Sequence, residues 1–218
     1  MITTIVLIIL GIALIAVLRA MFRRVDGVGP VQSPARPAVP APQTSGVDVD
    51  LWNARPGDVV SIHGGAEDYS DLDFTVDRRS AYESNNHRWV DLSGDFRGRR
   101  VYLELQHKTD QEALGILDGR KLTIADLHLT EEQLTDYDAR QDPNATLDFD
   151  GKKWQYDSSR EIGYFENETG EGEGLYRWLF REQGGPRVIC IEKWEGEPFD
   201  VRIARRVSVN EITVYRGA

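Results

Sequence analysis

The chain has 218 residues, of which 26 are Lys or Arg, 36 are Asp or Glu and one is Cys. A single cysteine cannot form a disulfide framework, which excludes the small disulfide-rich secreted domains. The formal net charge of −10 repels nucleic-acid phosphates, so the composition also argues against a nucleic-acid partner.

The first predicted element is a membrane-spanning helix in residues 1–24. Residues 2–22 are apolar with few interruptions, and a helix of that length crosses a hydrocarbon core of about 30 Å. The alternative is a cleaved secretory signal, which starts with basic residues and ends at a small-residue cleavage site. Basic residues instead follow the apolar run, at Arg19, Arg23 and Arg24, and such a flank favours the cytosolic side. We therefore expect an uncleaved single-pass anchor in the cell membrane, in contact with lipid, that leaves the rest of the chain in the cytoplasm.

The second segment, residues 25–47, is a predicted linker. It holds five prolines among small and polar side chains, and so cannot bury enough apolar area to fold. Prolines favour the extended polyproline II conformation, which predicts a spacer between the membrane and the rest of the chain. Pro34-Ala35-Arg36-Pro37 is a weak match to a ligand of a proline-binding domain, and the spacer is the favoured interpretation.

Residues 48–218 are predicted to form one acidic β domain. Without the first 47 residues the chain keeps 22 Lys or Arg and 35 Asp or Glu, a balance of about −13. Apolar and polar residues alternate in many short runs, such as residues 101–105 and 199–203, and this alternation indicates strands with one face in a core. Residues 188–191 are apolar on both faces, which indicates a central strand covered on both sides.

Local signals divide this domain into a series of short strands and one helix. Thr130-Glu131-Glu132-Gln133 has the pattern of a capping box and predicts the start of a short helix. Asp150-Gly151 lies between two alternating runs and predicts a type I′ hairpin turn. The predicted strands lie near residues 57–63, 72–77, 87–93, 99–106, 112–124, 146–150, 152–158, 161–166, 175–182, 187–195, 199–204 and 210–215.

Many short strands separated by Gly, Asp and Asn turns predict an all-β fold. The favoured architecture is mainly an antiparallel sandwich or a partly open barrel with one short helix. Residues 87–106 and residues 175–194 echo each other, because each has a strand with a tryptophan, a charged turn and a strand that ends in Glu. We therefore expect two similar halves.

The segments with the clearest patterns are Pro56-Gly57-Asp58-Val59-Val60, Arg88-Trp89-Val90-Asp91-Leu92, Tyr102-Leu103-Glu104, Ile189-Cys190-Ile191-Glu192-Lys193-Trp194, Phe199-Asp200-Val201 and Ile212-Thr213-Val214-Tyr215. Together they resemble the bacterial DUF4178 domain, a domain of unknown function, over most of residues 48–218. Val90-Asp91 departs from the acidic-aromatic pair expected at that point, which affects the alignment of its strand. The resemblance implies a protein of unsettled activity, often found beside membrane-stress genes of the phage-shock type. It transfers no active-site residues.

Chemistry-bearing residues are present, but no pattern predicts a catalytic, cofactor or metal site. Pairs of carboxylates occur at Asp48/Asp50, Asp71/Asp73 and Asp148/Asp150, without the glycine and terminal glutamate of a calcium loop. His63, His87, His107 and His128 lack the spacing of zinc ligands. Cys190 lies in the most apolar strand, where we expect a core residue rather than a nucleophile.

Aromatic residues supply the candidate contact positions. Tyr176, Trp178 and Phe180 share one face of a predicted strand, where a packed core is favoured over an aromatic ligand or peptide groove. Trp52 follows the linker directly, and is the better candidate for a contact with a partner, unless it pins the point where the chain enters the domain.

The leading functional hypothesis is a non-enzymatic binding or adaptor module, tethered to the membrane and joined to a protein partner in an envelope or membrane-stress assembly. One alternative is a sandwich or barrel that holds a small ligand, with the Trp178 strand lining the cavity. A third is carboxylate-based hydrolysis, which requires two of Asp73, Glu104, Asp148 and Glu192 to meet in one cleft. No cofactor is expected for any of these.

Overall fold

The computed structural model describes residues 49–107 and 110–217. The predicted anchor in residues 1–24, with its arginine flank, and the predicted linker in residues 25–47 lie outside these ranges. Within them, no helix has both the length and the apolar character that crossing a bilayer requires.

The described residues are almost entirely β, as the alternation predicts. One short helix, α1, spans Glu131–Arg140. The strands are β1 (Val59–Ile62), β2 (Leu72–Ser84), β3 (His87–Phe96), β4 (Arg99–Leu105), β5 (Glu112–Ile116), β6 (Lys121–Leu122), β7 (Thr146–Phe149), β8 (Lys152–Phe165), β9 (Glu173–Glu182), β10 (Arg187–Trp194), β11 (Asp200–Ser208) and β12 (Ile212–Tyr215). Three single 3₁₀ turns lie at Leu51–Asn53, Glu166–Glu168 and Val209–Glu211.

All strand pairings are antiparallel, and eight strands close on themselves. Their order is β2-β3-β4-β5-β11-β10-β9-β8, and β8 pairs again with β2. This closed ring of strands consists of a first half, β2 to β5, and a second half, β8 to β11. Strands β12 and β1 extend from β2, β7 extends from β8, and β6 pairs with β11. The all-β, antiparallel prediction is therefore confirmed.

Each half packs its outer face against its own cover. In the first half, Phe74 and Leu103 pack in one buried cluster with Val60 of β1 and Val214 of β12. In the second half, the cluster combines side chains from β8 to β11 with Leu134 of α1. Burial of these apolar faces outside the ring fixes the opposite faces of the same strands toward its interior.

Helix α1 begins as the capping-box pattern predicts. The Gln133 backbone N–H donates to Thr130 Oγ1 at 3.3 Å, and the Thr130 N–H donates to Gln133 Oε1 at 2.9 Å. Leu134 is buried, and its carbonyl accepts a hydrogen bond from the Trp178 indole at 3.0 Å. The helix therefore lies over the outer face of β9.

The first strand of each half carries a β-bulge. The pairing of β2 with β3 shifts between Val76 and Arg78, and the pairing of β8 with β9 shifts between Tyr156 and Ser158. One extra residue reverses the alternation of side chains beyond it. In both long strands, the set of alternate side chains that packs in the outer core before the bulge faces the interior after it. The bulge lies at the same relative position in each strand, which supports two similar halves.

Three details differ from the predicted strands. The strand predicted at residues 72–77 continues through its bulge to Ser84 as β2. Residues 112–124 are interrupted, because the Asp118 carboxylate accepts the Arg120 N–H at 3.0 Å and holds a turn between β5 and β6. Residues 152–158 and 161–166 belong to the single strand β8, since the bulge disturbs the alternation without ending the strand. The predicted Asp150-Gly151 turn is confirmed, with φ values of 55° and 67°.

Candidate functional site

The ring of strands holds a partly open cavity of about 280 Å³. Every one of its eight strands contributes at least one lining residue, which locates the cavity inside the ring. The charged residues that line it are Arg78, Asp91, Glu104, Arg177, Glu192, Asp200 and Arg202. The other lining residues are Tyr82, Tyr102, Leu114, Ile116, Tyr164, Cys190 and Trp194. We call this space the central cavity.

The two bulges aim side chains into the central cavity. Before its bulge, β2 directs Phe74 into the outer core; beyond it, residues of the same parity, Arg78 and Tyr82, line the cavity. In β8, Trp154 lies in the outer core and Tyr164 lines the cavity. The cavity therefore depends on one extra residue in each half.

Arg177 of β9 crosses the cavity and joins its two halves. Its Nη1 donates to Glu104 Oε2 of β4 at 2.6 Å, and its Nε donates to Glu192 Oε1 of β10 at 2.9 Å. The Arg177 and Glu104 side chains are 3% and 8% exposed. Burial by itself would lower the pKa of this guanidinium, but the Glu104 and Glu192 carboxylates outweigh burial and raise it well above its usual value. Arg177 therefore stays charged inside the protein.

Asp91 of β3 is the buried carboxyl group without a guanidinium of its own. It is 3% exposed, lies directly opposite Glu104 in the β3–β4 register and makes no ion pair among the described residues. Burial, together with the neighbouring Glu104 carboxylate, raises the pKa of Asp91 well above its usual value despite the attraction of Arg177. Asp91 therefore holds its proton to a higher pH than an ordinary aspartate does.

Aromatic rings form a continuous wall beside these groups. Tyr82 packs on Tyr164 at a centroid distance of 5.2 Å, and Tyr164 meets Trp194 edge to face at 5.4 Å. The Tyr164 hydroxyl lies 3.0 Å from Oγ of Ser80, the residue that faces Asp91 in the β2–β3 register. Burial and the Asp91 carboxyl raise the pKa of Tyr82 well above its usual value, so that its hydroxyl keeps its proton.

Two further guanidinium groups line the cavity nearer to its surface. Arg202 donates twice to Asp200 Oδ2, at 2.9 and 2.7 Å. Arg78 donates through Nη1 to Glu166 at 2.6 Å, while its buried Nε has no hydrogen-bond partner among the described residues. Each arginine in the cavity thus has at least one carboxylate partner.

The aromatic candidates from the sequence lie elsewhere. Trp178 and Phe180 belong to the outer core of the second half, as the favoured core interpretation predicted. Tyr176 packs against the same core and donates its hydroxyl to Asp138 at 2.5 Å. The Trp178 strand does line the central cavity, but not through its tryptophan, because the Trp178 indole faces α1. Its neighbour Arg177 faces the cavity instead.

Trp52 lies at the entry of the chain into the domain. It is half-buried and packs against the outer core of the first half, and its carbonyl oxygen accepts a hydrogen bond from Arg79 at 3.3 Å. These contacts favour the role of pinning the chain entry over that of a free contact residue.

The carboxylates proposed for hydrolysis are only partly brought together. Glu104 and Glu192 meet in the central cavity, whereas Asp73 is paired in register with Ser61 of β1 and Asp148 forms an exposed ion pair with Lys153. Both glutamates bind Arg177, which takes one carboxylate oxygen of each, Glu104 Oε2 and Glu192 Oε1. The geometry therefore favours two glutamates neutralised by an arginine in the cavity lining over a pair of carboxylates acting as acid and base.

No group of His, Cys, Asp and Glu suited to a metal ion occurs among the described residues. His87 and His107 stack at 4.1 Å, and Cys190 lines the cavity. Burial, together with Glu192, raises the pKa of the Cys190 thiol well above its usual value. This thiol is therefore a poor nucleophile, in accordance with the expected core position.

Asp91, Tyr82 and Arg177 were not found from the sequence. One face of β9 carries Leu175, Arg177 and Leu179. The signal available in the sequence was therefore a single arginine between two apolar residues on the same strand face. Such a row is normally a core face, on which a charge is rare unless it is paired.

A second cavity, of about 440 Å³, is lined by residues that include Gln106, Asp157 and Arg160, and it shares Leu114 with the central cavity. It is larger, but its charged lining includes exposed side chains rather than a buried network. The chemically distinctive site is the smaller, central one.

Residues 55–209 match the family model described as a domain of unknown function, DUF4178. This match covers more than half of the chain. Neither a curated protein nor a solved structure matches the sequence.

Proposed function

Because the chain belongs to the DUF4178 family, whose description assigns no activity, we propose its function from the central cavity: the protein binds a small molecule inside the ring of strands. The carrying observation is a partly open space of about 280 Å³ that all eight strands line and into which the buried polar groups of Asp91, Glu104 and Arg177 converge. Small-ligand sites are concave, partly aromatic and equipped with a few convergent polar groups, as this one is.

The energetics of the cavity support binding over a purely structural role. Buried charges cost several kcal/mol each before they are paired, and apolar residues of similar volume often stabilise a core as well or better. Arg177 and its two glutamates therefore give the ring no advantage in stability that aliphatic side chains could not give. Buried titratable groups with shifted pKa values, gathered in a cavity, are typical of functional sites.

Native mass spectrometry and thermal-shift screening of the purified chain test this proposal. Ile116→Trp adds a large ring at the cavity wall, whereas Lys121→Trp adds the same ring at an exposed position of β6. We expect a ligand that raises the melting temperature of the unsubstituted protein and of Lys121→Trp, but not of Ile116→Trp. Equal binding by both variants, or no binding by any compound class, would contradict a ligand site in the central cavity.

We further propose that residues 1–24 hold this domain at the cytosolic face of the cell membrane. The support is the apolar run and the arginines that follow it, Arg19, Arg23 and Arg24. The full chain is expected in the membrane fraction after an alkaline wash, and protected from protease added outside intact cells. A washed-off protein, or one cut from outside, would overturn this location.

A protein partner at the membrane also stays a prediction from the sequence. The outlying strands β7 and β12 have four residues each, which offers little edge for strand addition. Affinity purification from solubilised membranes tests it: a stoichiometric partner is expected, and repeated recovery of the chain alone would count against it.

A further inference from the structure

The charges that line the central cavity do not balance. Three guanidinium groups and four carboxyl groups line the central cavity. Arg177 is bound by Glu104 and Glu192, Arg202 is bound by Asp200, and Arg78 is bound by Glu166 outside the cavity. Asp91 is left without a counter-charge among the described residues. The lining groups alone, three positive and four negative when all are ionised, leave the cavity one positive charge short of neutrality.

The surroundings of Asp91 are suited to a cation. The guanidinium carbon of Arg177 lies 4.6 Å from the centre of the Tyr82 ring, and that of Arg202 lies 5.4 Å from the Tyr102 ring. The faces of aromatic rings attract positive charge, most strongly where water is excluded. The aromatic wall of the cavity consists of Tyr82, Tyr164 and Trp194 and runs past Ser80. Ser80 is the residue opposite Asp91 in the β2–β3 register.

Resting on the proposed function, we propose that the ligand of the central cavity is a small organic monocation, whose ammonium group binds Asp91 and whose apolar part packs on Tyr82, Tyr164 and Trp194. A neutral ligand gives an ionised Asp91 no counter-charge. An anion adds to the excess of carboxylates, so that the cavity selects against it.

Binding of such a ligand is coupled to a proton. Burial and Glu104 raise the pKa of Asp91, so that below this raised pKa the carboxyl is protonated in the free protein and must ionise to pair with an ammonium group. One proton is therefore released on binding. The affinity for the cation rises with pH, by up to about tenfold per pH unit, until the pH exceeds the raised pKa of Asp91.

The remaining groups around Asp91 are accounted for. Glu104 faces it from β4 and Arg177 from β9, while Arg78 and Tyr82 lie on β2. Glu192 contributes from β10 and also disfavours ionisation of Asp91. Arg177 is held by both glutamates, so an ionised Asp91 needs an additional cation as its partner.

A matched set of probes tests this inference: benzylammonium, benzyl alcohol and benzoate, titrated into the full-length chain in mild detergent. All five tryptophans of the chain lie within the described ranges, and their indole N–H signals report binding by NMR. We expect benzylammonium to shift the Trp194 signal and to bind at least tenfold more tightly than the alcohol, with no binding of benzoate. Calorimetry in two buffers of different ionisation enthalpy should show proton release for the amine alone.

Two variants locate the effect. Asp91→Asn should lower the affinity for benzylammonium at least tenfold and leave that for benzyl alcohol unchanged, while Asp148→Asn, at an exposed position of β7, should change neither. If the alcohol or benzoate binds as well as the amine, or if binding releases no proton, the inference fails although the cavity still binds ligands. If no probe shifts Trp194, both the inference and the proposed function are overturned.

Discussion

A single guanidinium group, that of Arg177, compensates carboxylates from both halves of the ring. Its removal leaves Glu104 and Glu192 buried without a counter-charge. We expect Arg177→Met to lower the free energy of unfolding by about 3–5 kcal/mol. Urea unfolding followed by tryptophan fluorescence measures this change.

Arg181 provides the matched control on the same strand. It pairs with Asp157, and its side chain is 52% exposed. Exposed ion pairs contribute about 0–1 kcal/mol, so Arg181→Met should have a small effect. A cost for Arg177→Met no greater than that for Arg181→Met would show that the buried network does not stabilise the ring.

The protonation of Asp91 makes stability depend on pH. Because the folded protein raises the pKa of this group, its contribution to stability is fully present below the usual pKa of an aspartate and is lost as the pH rises through the raised value. Asp91→Asn removes this loss. We expect the variant to be more stable than the unsubstituted protein at pH 8, by about 1 kcal/mol or more, with the difference vanishing near pH 4.

Unfolding in urea at several pH values measures that difference. Asp148→Asn, in an exposed pair with Lys153, should follow the pH profile of the unsubstituted protein. A constant difference between Asp91→Asn and the unsubstituted chain from pH 4 to pH 8 would contradict a protonated Asp91.

At the scale of elements, the start of α1 depends on one hydroxyl group. Thr130 Oγ1 accepts the Gln133 N–H, which would otherwise lack a partner. Thr130→Ala should therefore cost about 1 kcal/mol of stability by thermal or chemical unfolding. Thr135→Ala, within the same helix, should be close to neutral, since the Thr135 hydroxyl only donates back to the Glu131 carbonyl. Similar costs at both positions would argue against the cap.

The crossing of β2 and β3 depends on the absence of a side chain at Gly94. A Cβ there would lie 2.2 Å from the Thr75 carbonyl oxygen, which belongs to the backbone and cannot move aside cheaply. Gly94→Ala should cost about 1–3 kcal/mol in unfolding measurements. In contrast, a Cβ at Gly174 of β9 meets no atom within 4 Å, and Gly174→Ala should be tolerated. An equally mild effect at Gly94 would refute the close approach.

Elements were predictable wherever a local rule determines them. Alternation identified most strands, the Asp150-Gly151 pair identified a hairpin, and the Thr130 pattern identified the helix start. The bulges were not predictable, because a single extra residue, Asp77 in β2 or Asp157 in β8, has no signature in composition. Those bulges decide which side chains reach the central cavity, so its lining could not be read from alternation.

For the whole molecule, the all-β fold and the echo between halves were predictable, while closure of the ring was not. The contact that closes it joins Tyr82 to Tyr164, far apart in sequence, and no local pattern specifies it. Both faces of the ring strands are covered, one by an outer core and the other by the facing half. Sequence alternation distinguishes two faces but not which of them encloses a cavity, and Arg177 and Asp91 were therefore missed.

The junction between β2 and β8 has a consequence for how a guest molecule reaches the interior. It holds three register pairs, against four at the opposite junction of β5 with β11, and two tyrosines of the cavity wall lie on it. Ion pairs with exposed glutamates, Arg78–Glu166 and Arg79–Glu168, bridge the same junction.

Exposed charges are screened by salt. Added salt therefore weakens the two ion pairs across the β2–β8 junction more than it weakens the buried ion pairs of Arg177. We expect a bound ligand to dissociate faster as ionic strength rises. The effect should be smaller in Glu166→Gln, which already lacks one of the two ion pairs. Stopped-flow displacement at increasing salt measures the escape rate. A dissociation rate insensitive to salt would show that the ligand leaves the cavity at another part of the molecule.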